Sequence, residues 1–455
     1  MSKNVESFPE DNSSEETPEQ QEMQKKLDEM VIHLQEKHDD DVKEEAGKLE
    51  EKQREKTFGE RVFSEYQTKK SKIRGTEKER GAAFRFERGQ IYKGYMNLRK
   101  EIKQAEALGE NTTTKKSLLK QMREKAKVVQ KDLDEINRQF YENVKEVEFE
   151  NEFGKFMVPV VELDLKKDAE GKDIDPEKDV RIPEVFLGSV ATQFHQSACF
   201  SMARALEGHK VFVPMQPEQP SVKKPENFGE ILSKEGNLKP YSKLAKGVIE
   251  TLGLKEFNLS GFSMGATTAL ELATDPELEG LNDLTIMEPL GIEDKGLVKL
   301  GIEFGVKQGI KTMKSSEARI KTLAQGAPEG QGEIGLFAKT ANILSKKHFD
   351  PEKLSKINAK GRFQVWVGGE SPIVDNELAE KVFSETDELI HEKNPEVSRL
   401  EFYKVNGADH GLAMMNSIGL SRMIDAKKPN EKNTTLSEED LGNSAMEWII
   451  KDIKE

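Results

Sequence analysis

Ser263 lies in the run Gly261-Phe262-Ser263-Met264-Gly265, between the strand-like stretch Phe257 to Ser260 and a run of small residues, Ala266 to Ala273, that suits a helix. A G-x-S-x-G pentapeptide in that context describes a nucleophile elbow, a serine held out on the sharp turn from a strand into a helix. On so tight a turn the serine takes strained dihedrals, and the two glycines keep side chains away where neighbouring backbone must pass close. The chemistry on offer is covalent attack by the serine Oγ on an acyl carbon.

A serine hydroxyl is a weak nucleophile at neutral pH, so a histidine base must be delivered to it by the fold. The chain has seven histidines. His33 and His38 lie in an acidic helical stretch, His209 precedes a strand-like run, and His348 and His391 sit among charged helical residues, where a surface role suffices. His195 stands at the start of a helix-like stretch after Gly188. His410 differs, because Gly407-Ala408-Asp409-His410-Gly411 is a glycine-flanked loop directly after the strand-like run Leu400 to Val405. A parallel sheet lines up the carboxyl ends of its strands, so His410 can reach Ser263 although they are far apart in sequence.

The elements that would position these residues begin near residue 147. Short apolar and β-branched runs at 155–165, 184–190, 211–215, 257–260, 284–287, 363–367 and 400–405 alternate with helical stretches. That alternation implies right-handed βαβ units in a mostly parallel, doubly wound sheet, an α/β fold. Between about 290 and 360 no strand is evident; helical patterns broken by the glycine-rich stretch 326–335 predict a helical insertion, a candidate lid.

From here the sequence resembles the alpha/beta-hydrolase superfamily over roughly 147–455. The resemblance rests on the Ser263 elbow, the His410 loop, the helical insertion after the sixth strand and the order serine, acid, histidine. It implies an oxyanion hole built from the backbone N–H of Met264 and that of Ser189, in Leu187-Gly188-Ser189-Val190. Many members carry His-Gly where this chain has Leu187-Gly188, a change that a backbone donor survives. It also implies an acid after the strand 363–367, within Gly368-Gly369-Glu370-Ser371-Pro372-Ile373-Val374-Asp375. Glu370 is the first candidate, since Gly-x-Glu-Ser-Pro is similar to a variant in some members. Asp375 is the second, with a helix N-cap as its other reading, and Glu288, ending the preceding strand, is the third.

The remainder of the chain carries no comparable chemistry. Residues 1–56 read as an acidic disordered tail and a charged helix, and 57–146 as a basic helical hairpin with Ile102, Leu118, Leu119, Met122, Val129, Leu133 and Ile136 as seam candidates. These coiled-coil-like arms suit a protein partner or self-association. The net charge of −14 argues against a general nucleic-acid binder. The single cysteine, Cys199, lies in an apolar helical run and reads as core, which points to a reducing, cytoplasmic setting without disulfides. No transmembrane run, calcium loop, zinc spacing, P-loop or dinucleotide fingerprint is present, so neither metal nor cofactor is expected. The expected function is a serine hydrolase acting on a carboxylic ester, thioester or amide of a small-molecule or acyl substrate. The alternative is a non-catalytic scaffold that works through its N-terminal arms.

Overall fold

The computed structural model describes residues 143–444 apart from 169–171, 190–198, 220, 302, 304–333, 394–399, 416, 427–433, 438–439 and 442–443, together with scattered residues of 102–142. The expected acidic tail and helix, and most of the expected basic hairpin, lie outside the described residues.

A single nine-stranded sheet runs in the order β1-β2-β4-β3-β5-β6-β7-β8-β9. Its strands are β1 (Val144–Asn151), β2 (Gly154–Leu163), β3 (Glu184–Leu187), β4 (Val211–Pro214), β5 (Phe257–Phe262), β6 (Leu281–Met287), β7 (Phe363–Gly368), β8 (Leu400–Asn406) and β9 (Thr434–Ser437). Strands β1 and β2 form an antiparallel hairpin that joins β4 antiparallel, and every pairing from β4 through β9 is parallel. This is the expected doubly wound, mostly parallel sheet. The seven strand-like runs become β2 to β8. The outermost two were not foreseen. In β1 the sequence VKEVEFEN places Val147 and Phe149 between glutamates, a two-residue alternation that is itself a strand signal, in a charged stretch whose residues to 146 are expected to close the helical hairpin. Strand β9 has the polar sequence TTLS, with no apolar run to announce it.

Burial follows from parallel pairing. Both faces are covered, so β3 (EVFL) and β7 (FQVWVG) are buried along their whole length. Val185, Leu187, Leu259 and Ile286 pack with the helices Phe228–Glu235, Lys239–Thr251 and Met264–Ala273 on one face. Phe186, Val213, Met287 and Trp366 pack with Cys199–Leu206 and Ser417–Asp425 on the other. Cys199 is buried there, as expected for a core residue. Ile136, expected on the hairpin seam, instead joins this second core beside Val161 and Leu163. Its neighbour Gln139 exchanges two hydrogen bonds with the Asp164 backbone, at 2.9 and 2.8 Å. This stretch of helix is therefore docked on the sheet domain, where burial of an apolar side chain of this size is stabilising.

The chain order decides where a site can form. After β3 the chain crosses to β4 and then returns past β3 to lay down β5. The reversal leaves a crevice at the carboxyl ends of β3 and β5, the place where open α/β sheets bind ligands. Between β6 and β7 the described residues hold only helices, Leu297–Gly301, Ile334–Leu344 and Pro351–Leu354, in keeping with the expected insertion. Among the described residues no helix is long and apolar enough to cross a membrane.

Candidate active site

Ser263 follows β5 directly and precedes the helix Met264–Ala273, with φ 57° and ψ −119°. A non-glycine residue held there is strained, and the strain is sustained by its surroundings. The Ser263 N–H donates to Met287 O at 2.9 Å, and the Thr267 N–H donates to Ser263 O at 3.1 Å. A Cβ on Gly261 would lie 2.4 Å from Gly265 O, and one on Gly265 would lie 1.9 Å from Leu187 O. The elbow glycines are thus required by close backbone approach within the turn and against β3.

His410 reaches the serine from the loop after β8. Gly407, at φ 85°, turns the chain, and Asp409 Oδ1 accepts from the Gly411 N–H at 2.7 Å. The imidazole Nε2 lies 3.0 Å from Ser263 Oγ and Nδ1 lies 2.8 Å from Glu288 Oε2. Ser263 and Glu288 are fully buried, and His410 is only 3% exposed.

The order of acid candidates is therefore corrected. The carboxylate on Nδ1 is that of Glu288, the third candidate, rather than Glu370 or Asp375. Glu288 leaves β6 with φ 55°, a left-handed turn, and its N–H donates to Trp366 O at 2.8 Å. Its Oε1 accepts from the Gly368 N–H and its Oε2 accepts from the Ser371 hydroxyl at 2.6 Å. Glu370 is exposed, with its backbone N–H on Ala408 O at 2.8 Å. Asp375 is exposed too, and its Oδ1 accepts from the Leu378 N–H at 3.0 Å, the N-cap reading. Gly368-Gly369 answers a packing need: a Cβ on Gly368 would lie 2.5 Å from Asp409 O, and one on Gly369 would lie 2.9 Å from Asn406 Oδ1. The glycines let the histidine loop pass.

Met264 occupies the first position of the elbow helix, where backbone N–H groups have no acceptor within the helix. Ser189 is buried just past the end of β3, next in the chain to the Leu187-Gly188 backbone against which Gly265 packs. Two contacts were not foreseen. Thr267 Oγ1 accepts from the Leu290 N–H at 3.0 Å and lies 3.2 Å from Leu290 O, tying the loop that carries Glu288 to the elbow helix. Ser371 is the other. Its only sequence signal was its place beside the glycines.

No family model matches the chain, and no curated protein matches it. Solved structures that match include bromoperoxidase from Bacillus anthracis, at 12% identity and TM-score 0.43 over 62% of this chain and 98% of that one. A carboxylesterase from Bacillus subtilis matches at 11% identity and TM-score 0.40 over 67% and 98%. An esterase from Exiguobacterium antarcticum matches at 13% identity and TM-score 0.45 over 62% and 98%.

Proposed function

We propose that this chain is a serine hydrolase that cleaves a carboxylic ester or a related acyl bond through an acyl-enzyme, with Ser263 as nucleophile, His410 as base and Glu288 as the acid. One observation carries the reading: a single imidazole bridges Ser263 Oγ at 3.0 Å and a buried carboxylate at 2.8 Å. A hydroxyl, an imidazole and a carboxylate in that order form the relay that activates serine.

In this reaction Oγ attacks the acyl carbon while its proton passes to His410 Nε2. Glu288 fixes the tautomer with Nδ1 protonated and stabilises the imidazolium without taking the proton. The Met264 and Ser189 N–H groups hold the negative charge that develops on the carbonyl oxygen. The imidazolium then protonates the departing alcohol, and the acyl-enzyme remains. A water molecule, giving its proton to Nε2, attacks the acyl carbon; the proton returns to Oγ as the acid departs. Because Ser263 is fully buried, substrate entry needs displacement of covering residues, a role we assign to the helical insertion between β6 and β7 as a lid.

The test is hydrolysis of p-nitrophenyl acyl esters of graded chain length by the full chain, read as a burst of phenolate followed by steady turnover. The expected result is a burst stoichiometric with protein that is absent in Ser263→Ala. Turnover unchanged in Ser263→Ala would refute the assignment.

A further inference from the structure

The segment after β7 holds the acid in place. Glu288 has two oxygens, and both are engaged by this segment: the Gly368 N–H donates to Oε1, and the Ser371 hydroxyl donates to Oε2 at 2.6 Å. Oε2 is also the oxygen that faces His410 Nδ1. Ser371 Oγ is itself approached by the Ile373 and Val374 N–H groups at 3.4 and 3.3 Å. A hydroxyl has one proton, and with N–H groups facing its lone pairs that proton is directed at the carboxylate. The same segment is pinned to the histidine loop, since the Gly369 N–H donates to Val405 O at 2.7 Å and the Glu370 N–H to Ala408 O at 2.8 Å. Asn376 Nδ2 closes it by donating to Gly368 O at 2.9 Å.

Resting on the hydrolase reading above, we infer that Ser371 is a positioning residue: its hydroxyl fixes the rotamer of Glu288 and shares the charge on the oxygen that orients His410. Glu288 sits on a left-handed backbone turn at a strand end, and a flexible side chain there needs this second tether to point at Nδ1. Removing the hydroxyl leaves more negative charge on Oε2, which favours the imidazolium. The oxygen that orients His410 thereby loses a donor, and the pH dependence of the rate changes together with the rate itself.

The experiment compares wild type with Ser371→Ala and Ser371→Thr, in the full chain, by the rate of fluorophosphonate labelling from pH 5 to 9 and by kcat and KM on a p-nitrophenyl ester. For Ser371→Ala the expected result is about tenfold slower labelling and kcat, the size of one hydrogen bond to a charged group. KM stays unchanged and the acidic limb of the rate profile is displaced from that of wild type. Ser371→Thr, which keeps a hydroxyl, restores both rate and limb. Should Ser371→Ala fail to fold, Ser371→Cys keeps the volume with only a weak donor and is expected to show the same displacement. Wild-type labelling with Ser371→Ala or Ser371→Cys matching it in rate and in limb would overturn the role of Ser371 alone. Absence of labelling in folded wild type would overturn the hydrolase reading as well.

Discussion

Substituting Gly265 by alanine tests the close approach on which the elbow depends. The added Cβ would lie 1.9 Å from Leu187 O, 2.4 Å from Leu187 C and 2.5 Å from Gly188 O. All three are backbone atoms of β3 and the turn after it, so no side-chain rotation relieves the clash. The elbow helix and that turn must separate by about 1.5 Å to bring the 1.9 Å approach to an ordinary contact, and forced overpacking of this kind costs about 1–3 kcal/mol. For a domain of this size the loss corresponds to a drop of roughly 2–10 °C in Tm. The displacement also carries Ser189 away from Met264, and about 1 Å of misplacement in a reacting constellation costs on the order of 10²-fold in rate. Gly236→Ala serves as the control. Gly236 has φ 65° and nothing within 4 Å of the added atom, so it incurs only the cost of a left-handed turn, about 1 kcal/mol, with no change in rate. Calorimetry and ester turnover read both quantities. Gly265→Ala with wild-type Tm and rate would refute the packing argument.

Three further outcomes follow from particular contacts. Asp375→Ala is expected to lower stability by about 1 kcal/mol through loss of the helix cap while leaving kcat intact, in a denaturant titration run beside an activity assay. Gly247→Ala would place a Cβ 2.3 Å from the Phe149 ring; it should destabilise the fold by about 1–3 kcal/mol, and adding Phe149→Leu should recover part of the loss. Burial and the neighbouring Asp425 push the Glu207 carboxyl up to about 8. Its folded-state value exceeds its unfolded one, so its contribution is favourable at low pH and is lost as pH rises from about 4.5 towards 8. Glu207→Gln should flatten that part of the stability profile, measured as Tm against pH; an unchanged slope would contradict it.

The sequence was most informative where chemistry leaves a local mark. The elbow was legible because a strained serine, two glycines forced by backbone contact and a flanking strand and helix all fall within one short run. His410 was legible because its loop follows a clear strand and is bounded by glycines. The carboxylate beside Nδ1 was not, because Glu288 owes its place there to a contact between neighbouring strand ends, which register and φ decide. Gly368-Gly369 advertised the wrong residue. Those glycines accommodate the histidine loop, and Ser371 rather than Glu370 turns towards the site. The edges of the sheet differ: β1 does carry the two-residue alternation of a half-buried strand, but within a run of charges continuous with the expected helix, whereas β9 is polar and announces no burial. Ile136 is helical as expected but packs in the core of the sheet beside Val161 and Leu163.

The most direct test of the account is mass-spectrometric location of a fluorophosphonate adduct on the purified full chain, with His410→Ala, Glu288→Gln and Glu370→Gln variants beside wild type. The expected result is a single adduct on Ser263, slowed on the order of 10³ to 10⁴-fold by loss of His410 or of the Glu288 carboxylate and unchanged in Glu370→Gln. An adduct elsewhere, or one that depends on Glu370 and not on Glu288, would contradict it.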